Sequence, residues 1–175
     1  NFTLEEPKLK KIQIRKKITF LKNENEITSF KLIFFTYDTP LNKKNGYPNL
    51  FIIEKFIKKL LSLKFKKNTV IVITSQVYPG FMDKIKKKYK SKKNIKLLYM
   101  VDTLKMGHAL KNFLYPNQLI FGGEFADKKF IKKYFNKFKC KKYFFSFKEA
   151  ELIKISINLY LYFSVTYANI LDEMG

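Results

Sequence analysis

Residues 149–175 read EAELIKISINLYLYFSVTYANILDEMG. This stretch is apolar on nearly all sides, as is typical of a helix that is buried between other elements. Two polar side chains interrupt it, Lys154 and Asn158, and their spacing of four residues projects both from one face of the helix. A lysine and an amide on an otherwise apolar helix either lie at its exposed edge or belong to a functional site.

Upstream of this helix, short apolar runs alternate with amphipathic helices, which predicts parallel βαβ units and an α/β fold. The run VIVIT at residues 70–74 is continuously apolar, as expected of a strand buried on both faces. We place the domain boundary between residues 147 and 148, just before the long helix. Strands are predicted at residues 31–37, 70–74, 95–100, 118–121 and 143–147, and helices at residues 50–63, 82–89 and 127–138.

Several short motifs lie in order ahead of the helix. They are EPKL at residues 6–9, YDTP at 37–40, TSQVYPG at 74–80, VDTLKMGHAL at 101–110 and YPNQLIFGG at 115–123. Together with Glu-Leu-x-Lys-x-x-x-Asn at residues 151–158, this series resembles the UDP-glucose/GDP-mannose dehydrogenase family. The corresponding family segments read E-P-G-L, V-G-T-P, E-S-T-V-P-P-G, P-E-x-L-x-x-G-x-A-L and P-x-R-I-V-I-G-G.

The resemblance implies the later half of a Rossmann-like parallel sheet with flanking helices in residues 1–147, followed by the start of the central helix in residues 148–175. The complete enzyme would use NAD to oxidise the primary alcohol of a nucleotide-linked sugar to a carboxylate, through a thioester on a cysteine. It would form a homodimer through the central helix.

The resemblance also implies roles for individual residues. Lys154 and Asn158 would reach the active site and stabilise developing negative charge, and Asp102 would orient or activate the hydrolytic water. The residues implied to bind the cofactor are Thr39, Pro40, Ser75 and Gln76.

Four positions depart from the family pattern. Asp38 replaces the glycine before Thr-Pro, which puts a carboxylate near the expected path of the cofactor phosphates. Gln76 replaces a threonine, Asp102 replaces a glutamate, and Gln118 replaces the arginine of the P-x-R motif.

The printed sequence also lacks two features of the family. It contains no G-x-G-x-x-G turn for a pyrophosphate, and its one paired glycine, Gly122 with Gly123, has the wrong spacing. The nucleophilic cysteine of the family follows the central helix, whereas Cys140 precedes it. We therefore interpret the chain as the middle of a longer enzyme and expect it neither to bind NAD tightly nor to turn over substrate.

The net charge of +22 suggests an anionic partner such as nucleic acid. However, Arg15 is the only arginine, and the abundance of Lys, Ile, Asn, Phe and Tyr is explained by AT-rich codons. We expect no nucleic acid and, because His108 and Cys140 have no partners at ligand spacing, no metal. Polar residues within 155–171 argue against a membrane span, so we expect a soluble, cytoplasmic protein.

Simpler interpretations stay open. Lys154 would then be a lysine at the helix edge, Asn158 a buried amide bonded to backbone, and Asp102 a turn residue. Two other function classes also remain: a non-catalytic scaffold that dimerises through the long helix, and a basic nucleic-acid-binding domain.

Overall fold

The computed structural model describes residues 19–65, 68–89, 94–104, 107–124 and 128–174. Within these residues, five strands and five α-helices follow a short 3-10 helix at Glu24–Ser29. The motif at residues 6–9, Arg15, and Lys105 and Met106 of the 101–110 motif lie outside the described residues. In chain order the elements are β1 (Leu32–Phe35), α1 (Leu50–Ser62), β2 (Thr69–Ile73), α2 (Phe81–Lys88), β3 (Ile95–Met100), α3 (Ala109–Leu114), β4 (Gln118–Gly122), α4 (Lys128–Phe135), β5 (Lys141–Phe145) and α5 (Phe147–Met174).

The strands form one sheet in the order β1-β2-β3-β4-β5. β1, β2 and β3 are parallel, with Phe34 opposite Val72 and Val72 opposite Leu98. All five residues of β2 are buried, as its continuous apolar run predicted. The carboxyl ends of β1, β2 and β3 therefore meet at one edge of the sheet.

Helices cover both faces of the sheet. On one face, α1 contributes Ile53, Ile57 and Leu61, whose spacing of four residues places them on the same side of the helix. α2 and the first turn of α5 complete this layer through Ile85 and Ala150. On the other face, α4 packs Ile131 and Phe135 against β2, β3 and β4 in a second cluster.

The predicted Rossmann-like parallel sheet is confirmed, except that β4, and β5 parallel to it, run opposite to β1–β3. β3 and β4 are antiparallel and are paired only through Tyr99 with Gly122 and Met100 with Phe121. A parallel connection requires a crossover over the face of the sheet. In the described part of the segment between β3 and β4, the one helix is the six-residue α3, and the segment returns to the sheet from the same edge. The sheet is therefore Rossmann-like and mostly parallel, with one antiparallel step.

The other predicted strands and helices are confirmed, with bounds shifted by up to three residues at each end within the described residues. Asp127, the predicted start of α4, lies outside them. α3 was not predicted. The division of the chain between residues 147 and 148 stays a prediction, although α5 does begin there, at Phe147.

α5 is buried only near its start. Ile153 and Ile157 pack against the core, whereas the apolar side chains farther along the helix do not. Leu161, Val165 and Ile170 are about half exposed or more, at 52%, 60% and 48%. No helix among the described residues is long and apolar enough to cross a membrane.

Candidate functional site

A cleft of about 950 Å³ lies at the carboxyl ends of β1, β2 and β3, where open parallel sheets bind their ligands. Five of the seven predicted site residues line it: Thr39, Ser75, Gln76, Asp102 and Lys154. The rest of the wall is largely apolar and aromatic, and includes Phe34, Tyr37, Leu41, Tyr78, Met100, Leu104 and Phe113.

Two hydroxyl groups join the loops that form the floor of the cleft. Ser75, which is buried, donates to the carbonyl of Tyr37 over 2.5 Å, and Thr39 donates to the carbonyl of Gln76 over 2.6 Å. The donors lie on opposite loops, so the loop after β1 and the loop after β2 are tied to each other twice. Thr39 and Ser75 therefore hold the shape of the cleft through their hydrogen atoms and present only oxygen lone pairs to a ligand.

Three side chains of α5 reach the loops around the cleft: Glu151, Lys154 and Asn158. Their spacing of three and four residues puts them in one row on one face of the helix. Glu151 contacts the start of α2, Lys154 contacts the loop after β3, and Asn158 contacts the loop after β2. α5 thus holds the two loops in place and contributes side chains to the site.

The Lys154 ammonium is half-buried and donates a hydrogen bond to the backbone carbonyl of Asp102. Burial lowers the pKa of Lys154, and the nearby negative charge of Asp102 offsets part of that effect. Within the described residues, Lys154 has no carboxylate within ion-pair distance. An ammonium has three N–H donors, so two remain for a ligand in the cleft.

Asn158 contacts the loop after β2. Its side-chain amide donates to the side-chain oxygen of Gln76 over 2.5 Å. The second N–H and the oxygen of the Asn158 amide have no partner within the described part of the chain. Because Gln76 itself lines the cleft, this pair brings Asn158 to the rim of the cleft, although Asn158 is not among its lining residues.

Asp102 has a local structural role as well as a place in the cleft. Its Oδ1 accepts from the backbone N–H of Leu104 over 3.0 Å, which closes a turn after β3. The same residue presents its carbonyl to Lys154. Its second carboxylate oxygen has no hydrogen-bond partner within the described residues, so one acceptor remains toward the cleft.

The remaining residues singled out from the sequence lie elsewhere. Pro40 is not among the lining residues, and its carbonyl accepts from the N–H of Asn49 over 2.7 Å. Asp38 does line the cleft, so this departure from the family pattern lies inside the site. Among the described residues, Cys140 and His108 are not part of the cleft lining, and no group of His, Cys, Asp and Glu could hold a metal.

Glu151 is part of the family motif at residues 151–158, but no role was predicted for it from the sequence. Its side chain is completely buried, and its carboxylate accepts from the N–H of Gly80 over 2.5 Å and from the N–H of Met82 over 2.7 Å. Burial raises the pKa of Glu151, and the two hydrogen bonds oppose that shift. A signal was available, because Glu151 lies three residues before Lys154 on the same helical face.

Comparison with known proteins identifies the family. The sequence model described as UDP-glucose/GDP-mannose dehydrogenase family, NAD binding domain, matches residues 1–139. A UDP-glucose 6-dehydrogenase of Rickettsia bellii (strain RML369-C) is 32% identical over 109 residues, which cover 62% of this chain and 24% of that protein.

Two solved structures share the fold. A GDP-mannose dehydrogenase from Pseudomonas aeruginosa aligns with a TM-score of 0.78 at 18% identity, over 92% of this chain and 39% of that chain. A UDP-glucose dehydrogenase from Pyrobaculum islandicum aligns with a TM-score of 0.82 at 19% identity, over 97% of this chain and 42% of that chain. The chain thus spans less than half the length of each of these relatives. Because the family's domain model matches residues 1–139 of 175, the chain belongs to the UDP-glucose/GDP-mannose dehydrogenase family and carries its NAD-binding domain.

Proposed function

We propose that the whole protein containing this chain uses NAD to oxidise the primary alcohol of a nucleotide-linked sugar to a carboxylate. The relatives named UDP-glucose 6-dehydrogenase and GDP-mannose dehydrogenase support this substrate class. The observation that carries the proposal is Lys154, a half-buried ammonium in a cleft of about 950 Å³. Two of its N–H donors have no partner within the described residues.

The cleft fits the nicotinamide end of NAD better than the phosphate end. The side chains of Phe34, Met100 and Tyr37 offer apolar surface to a flat ring. The hydroxyl oxygens of Thr39 and Ser75, whose hydrogens bond to backbone carbonyls, offer acceptors to a carboxamide. NAD would accept hydride from the carbinol carbon. Asp38 repels a pyrophosphate, so we assign the phosphates to a turn that is not in the printed sequence.

Lys154 is proposed to stabilise the oxygen of the substrate as negative charge develops on it. Donors that are held in a partly dehydrated site and aimed at such an oxygen typically contribute a factor of about 10²–10³ each in turnover. The bond to the carbonyl of Asp102 prevents the side chain from swinging into solvent. Its lowered pKa also lets the amine give up and regain a proton closer to neutrality than an exposed lysine does.

Asn158 and Asp102 are proposed to complete the polar side of the site. The free N–H of Asn158 would donate to the same substrate oxygen, with Gln76 holding the amide in orientation. The free oxygen of Asp102 would accept a proton of the hydrolytic water. Thr39, Ser75 and Gln76 are proposed to contact the cofactor, and Pro40 to fix the loop that carries Thr39.

We further propose that the oxidation passes through a thioester on a cysteine contributed by the rest of the protein. Among the described residues, no cysteine lines the cleft, since Cys140 lies just before β5. For this reason, and because the sequence lacks a pyrophosphate turn, we propose that the chain by itself binds NAD weakly and does not turn over substrate.

A homodimer through α5 is proposed as the assembly of the protein. The later half of the helix is exposed on every side, and a monomeric protein rarely leaves so large an apolar surface in water. The exposed residues are Leu159, Tyr160, Leu161, Tyr162, Phe163, Val165, Tyr167, Ile170, Leu171 and Met174. A scaffold without catalytic activity would use the same surface, so the reaction must be tested directly.

The test is to supply the whole protein with NAD and a panel of nucleotide sugars and to measure NADH and sugar acid together. Two molecules of NADH should form for each carboxylate, because the oxidation from alcohol to acid removes four electrons. A protein that is folded and dimeric but forms no NADH with any nucleotide sugar would support the scaffold function instead.

A further inference from the structure

The first turn of α2 is held by a residue from another helix. Gly80 occupies the position before α2 with φ 96° and has no side chain to cap the helix. The first N–H groups of a helix have no partner inside it. Glu151 of α5 supplies the missing acceptors, with one carboxylate oxygen on the N–H of Gly80 and the other on the N–H of Met82.

This arrangement is costly for a cap alone. Helices are usually capped by a serine or asparagine just before their first turn, which satisfies an N–H group without burying a charge, but the φ of 96° disfavours a residue with a side chain at Gly80. The cap instead uses a carboxylate that is completely buried and that lies 71 residues further along the chain. What it adds is a rigid connection between α5 and the turn that leads into α2.

That connection lies directly beside the cleft. On the α5 side, Lys154 follows Glu151 by three residues and Asn158 follows it by seven, so all three lie on one face of the helix. Fixing the rotation of α5 at Glu151 therefore also fixes the directions of Lys154 and Asn158. On the other side, Tyr78 lines the cleft and lies two residues before Gly80.

A buried hydroxyl lies in the same compartment. Tyr99 of β3 is completely buried, and its hydroxyl has no hydrogen-bond partner within the described residues. Burial is the main cause that raises the pKa of Tyr99, and the negative charges of Glu151 and Asp102 raise it further.

We propose that Glu151 is a positioning residue: by capping α2 it fixes the rotation of α5, and thereby holds Lys154 against the carbonyl of Asp102 and Asn158 against Gln76. The importance of Glu151 for catalysis rests on the proposed function. Its effect on the placement of Lys154 does not, and that effect can be measured in the chain without any reaction.

The test is to measure the pKa of the Lys154 amine in the full chain. The protein is made with isotope-labelled lysine, and NMR records the lysine signals as the pH is raised. The signal is assigned by its loss in Lys154→Met. In Glu151→Gln the carboxylate charge is lost and one of its two acceptors becomes a donor. The cap on α2 is then lost, α5 is no longer held in its rotation, and the Lys154 amine becomes more exposed to water. Its pKa should then rise toward the ordinary 10.5.

The direction of the change separates positioning from simple electrostatics. Removing a negative charge without moving Lys154 would lower the pKa of the amine, since the protonated form would lose a favourable interaction. A lowered or unchanged pKa of Lys154 in folded Glu151→Gln would overturn the proposal.

Glu149→Gln is the matched control, since it removes the same charge from the same helix. Among the described residues, the Glu149 carboxylate bonds to Ser146 alone, at the start of α5, so its loss should leave the Lys154 titration as in the wild type. A rise in Glu149→Gln equal to that in Glu151→Gln would also overturn the proposal.

If Glu151→Gln does not fold, Glu151→Asp gives the same test with the charge retained and the carboxylate drawn back by one methylene. The pKa of Lys154 should again rise, by a smaller amount. An unchanged pKa, combined with faster hydrogen exchange at Gly80 and Met82, would show that the cap is lost without consequence for Lys154. None of these results depends on dehydrogenase activity, which is measured separately by NADH formation.

Discussion

Gly122→Ala should weaken the packing of α5 against the sheet and destabilise the fold. Gly122 ends β4 beneath the first turn of α5, and its backbone is not in the left-handed region, so the conformation itself tolerates alanine. The added Cβ would lie 2.7 Å from the Cβ of Ala150, 3.2 Å from the carbonyl oxygen of Ser146 and 3.3 Å from the Cα of Phe147. Ordinary contacts between carbon atoms are about 3.5–4.0 Å.

α5 must therefore move away by roughly 1 Å, and overpacking of this kind costs about 1–3 kcal/mol of unfolding free energy. A loss of about 2 kcal/mol would lower Tm by about 4–8 °C for a domain of this size. Urea unfolding followed by circular dichroism should show a lower midpoint with an unchanged slope.

A double-mutant cycle tests the cause. Ala150→Gly removes the carbon atom that lies closest to the added methyl group, and by itself it costs about 1 kcal/mol as a glycine inside a helix. Because Ala150→Gly also relieves the clash, the double variant should be more stable than the sum of the two single effects by about 1 kcal/mol. A neutral Gly122→Ala, or strictly additive effects, would refute the packing of α5 on β4.

Three further outcomes are expected. Ile57→Ala removes a side chain that is 1% exposed and should cost about 2–4 kcal/mol of unfolding free energy. Phe51→Ala on the same helix, at 72% exposed, should stay within about 0.5 kcal/mol in the same urea titration. Because the pKa of Lys154 is lower in the folded chain than its ordinary 10.5, the unfolded chain binds more protons between the two values. Urea titrations at increasing alkaline pH should therefore show the wild type gaining stability relative to Lys154→Met up to about pH 10.5, and a constant difference would contradict the burial of the amine. Sedimentation of the chain should show association that weakens in Phe163→Glu, and a monomer at every concentration would argue against dimerisation through α5.

Much of the fold could be predicted from local patterns. α1 buries an apolar repeat of helical period, and β2 buries every residue of a continuous run. β3 has the bounds that its sequence predicted. α3 was missed because none of its residues is buried, so its sequence carries no apolar period. The direction of β4 was also missed, since it depends on the length and course of the connection and not on the residues of the strand.

The site was partly predictable for a similar reason. The resemblance led to Lys154, Asn158, Asp102, Ser75 and Gln76, and the structure brings these residues together, while their roles stay predictions. The partner of Lys154 could not be predicted, because the Asp102 carboxylate turns to the N–H of Leu104 and leaves its carbonyl for the amine.

The role of Glu151 was missed for a further reason. A carboxylate within an apolar helix has no local role, and its donors at Gly80 and Met82 are 71 and 69 residues away in sequence. Only the packing of α5 against α2 reveals the contact.

The central claim is that the Lys154 ammonium stabilises charge on the reacting oxygen in the cleft. It is tested most directly by the turnover of Lys154→Met in the whole protein, compared with Lys148→Met on the exposed start of α5. We predict that Lys154→Met lowers kcat by about 10²–10³-fold without loss of stability at neutral pH, while Lys148→Met keeps the wild-type rate. Turnover of Lys154→Met within a few-fold of the wild type would show that this lysine is only a residue of the helix edge.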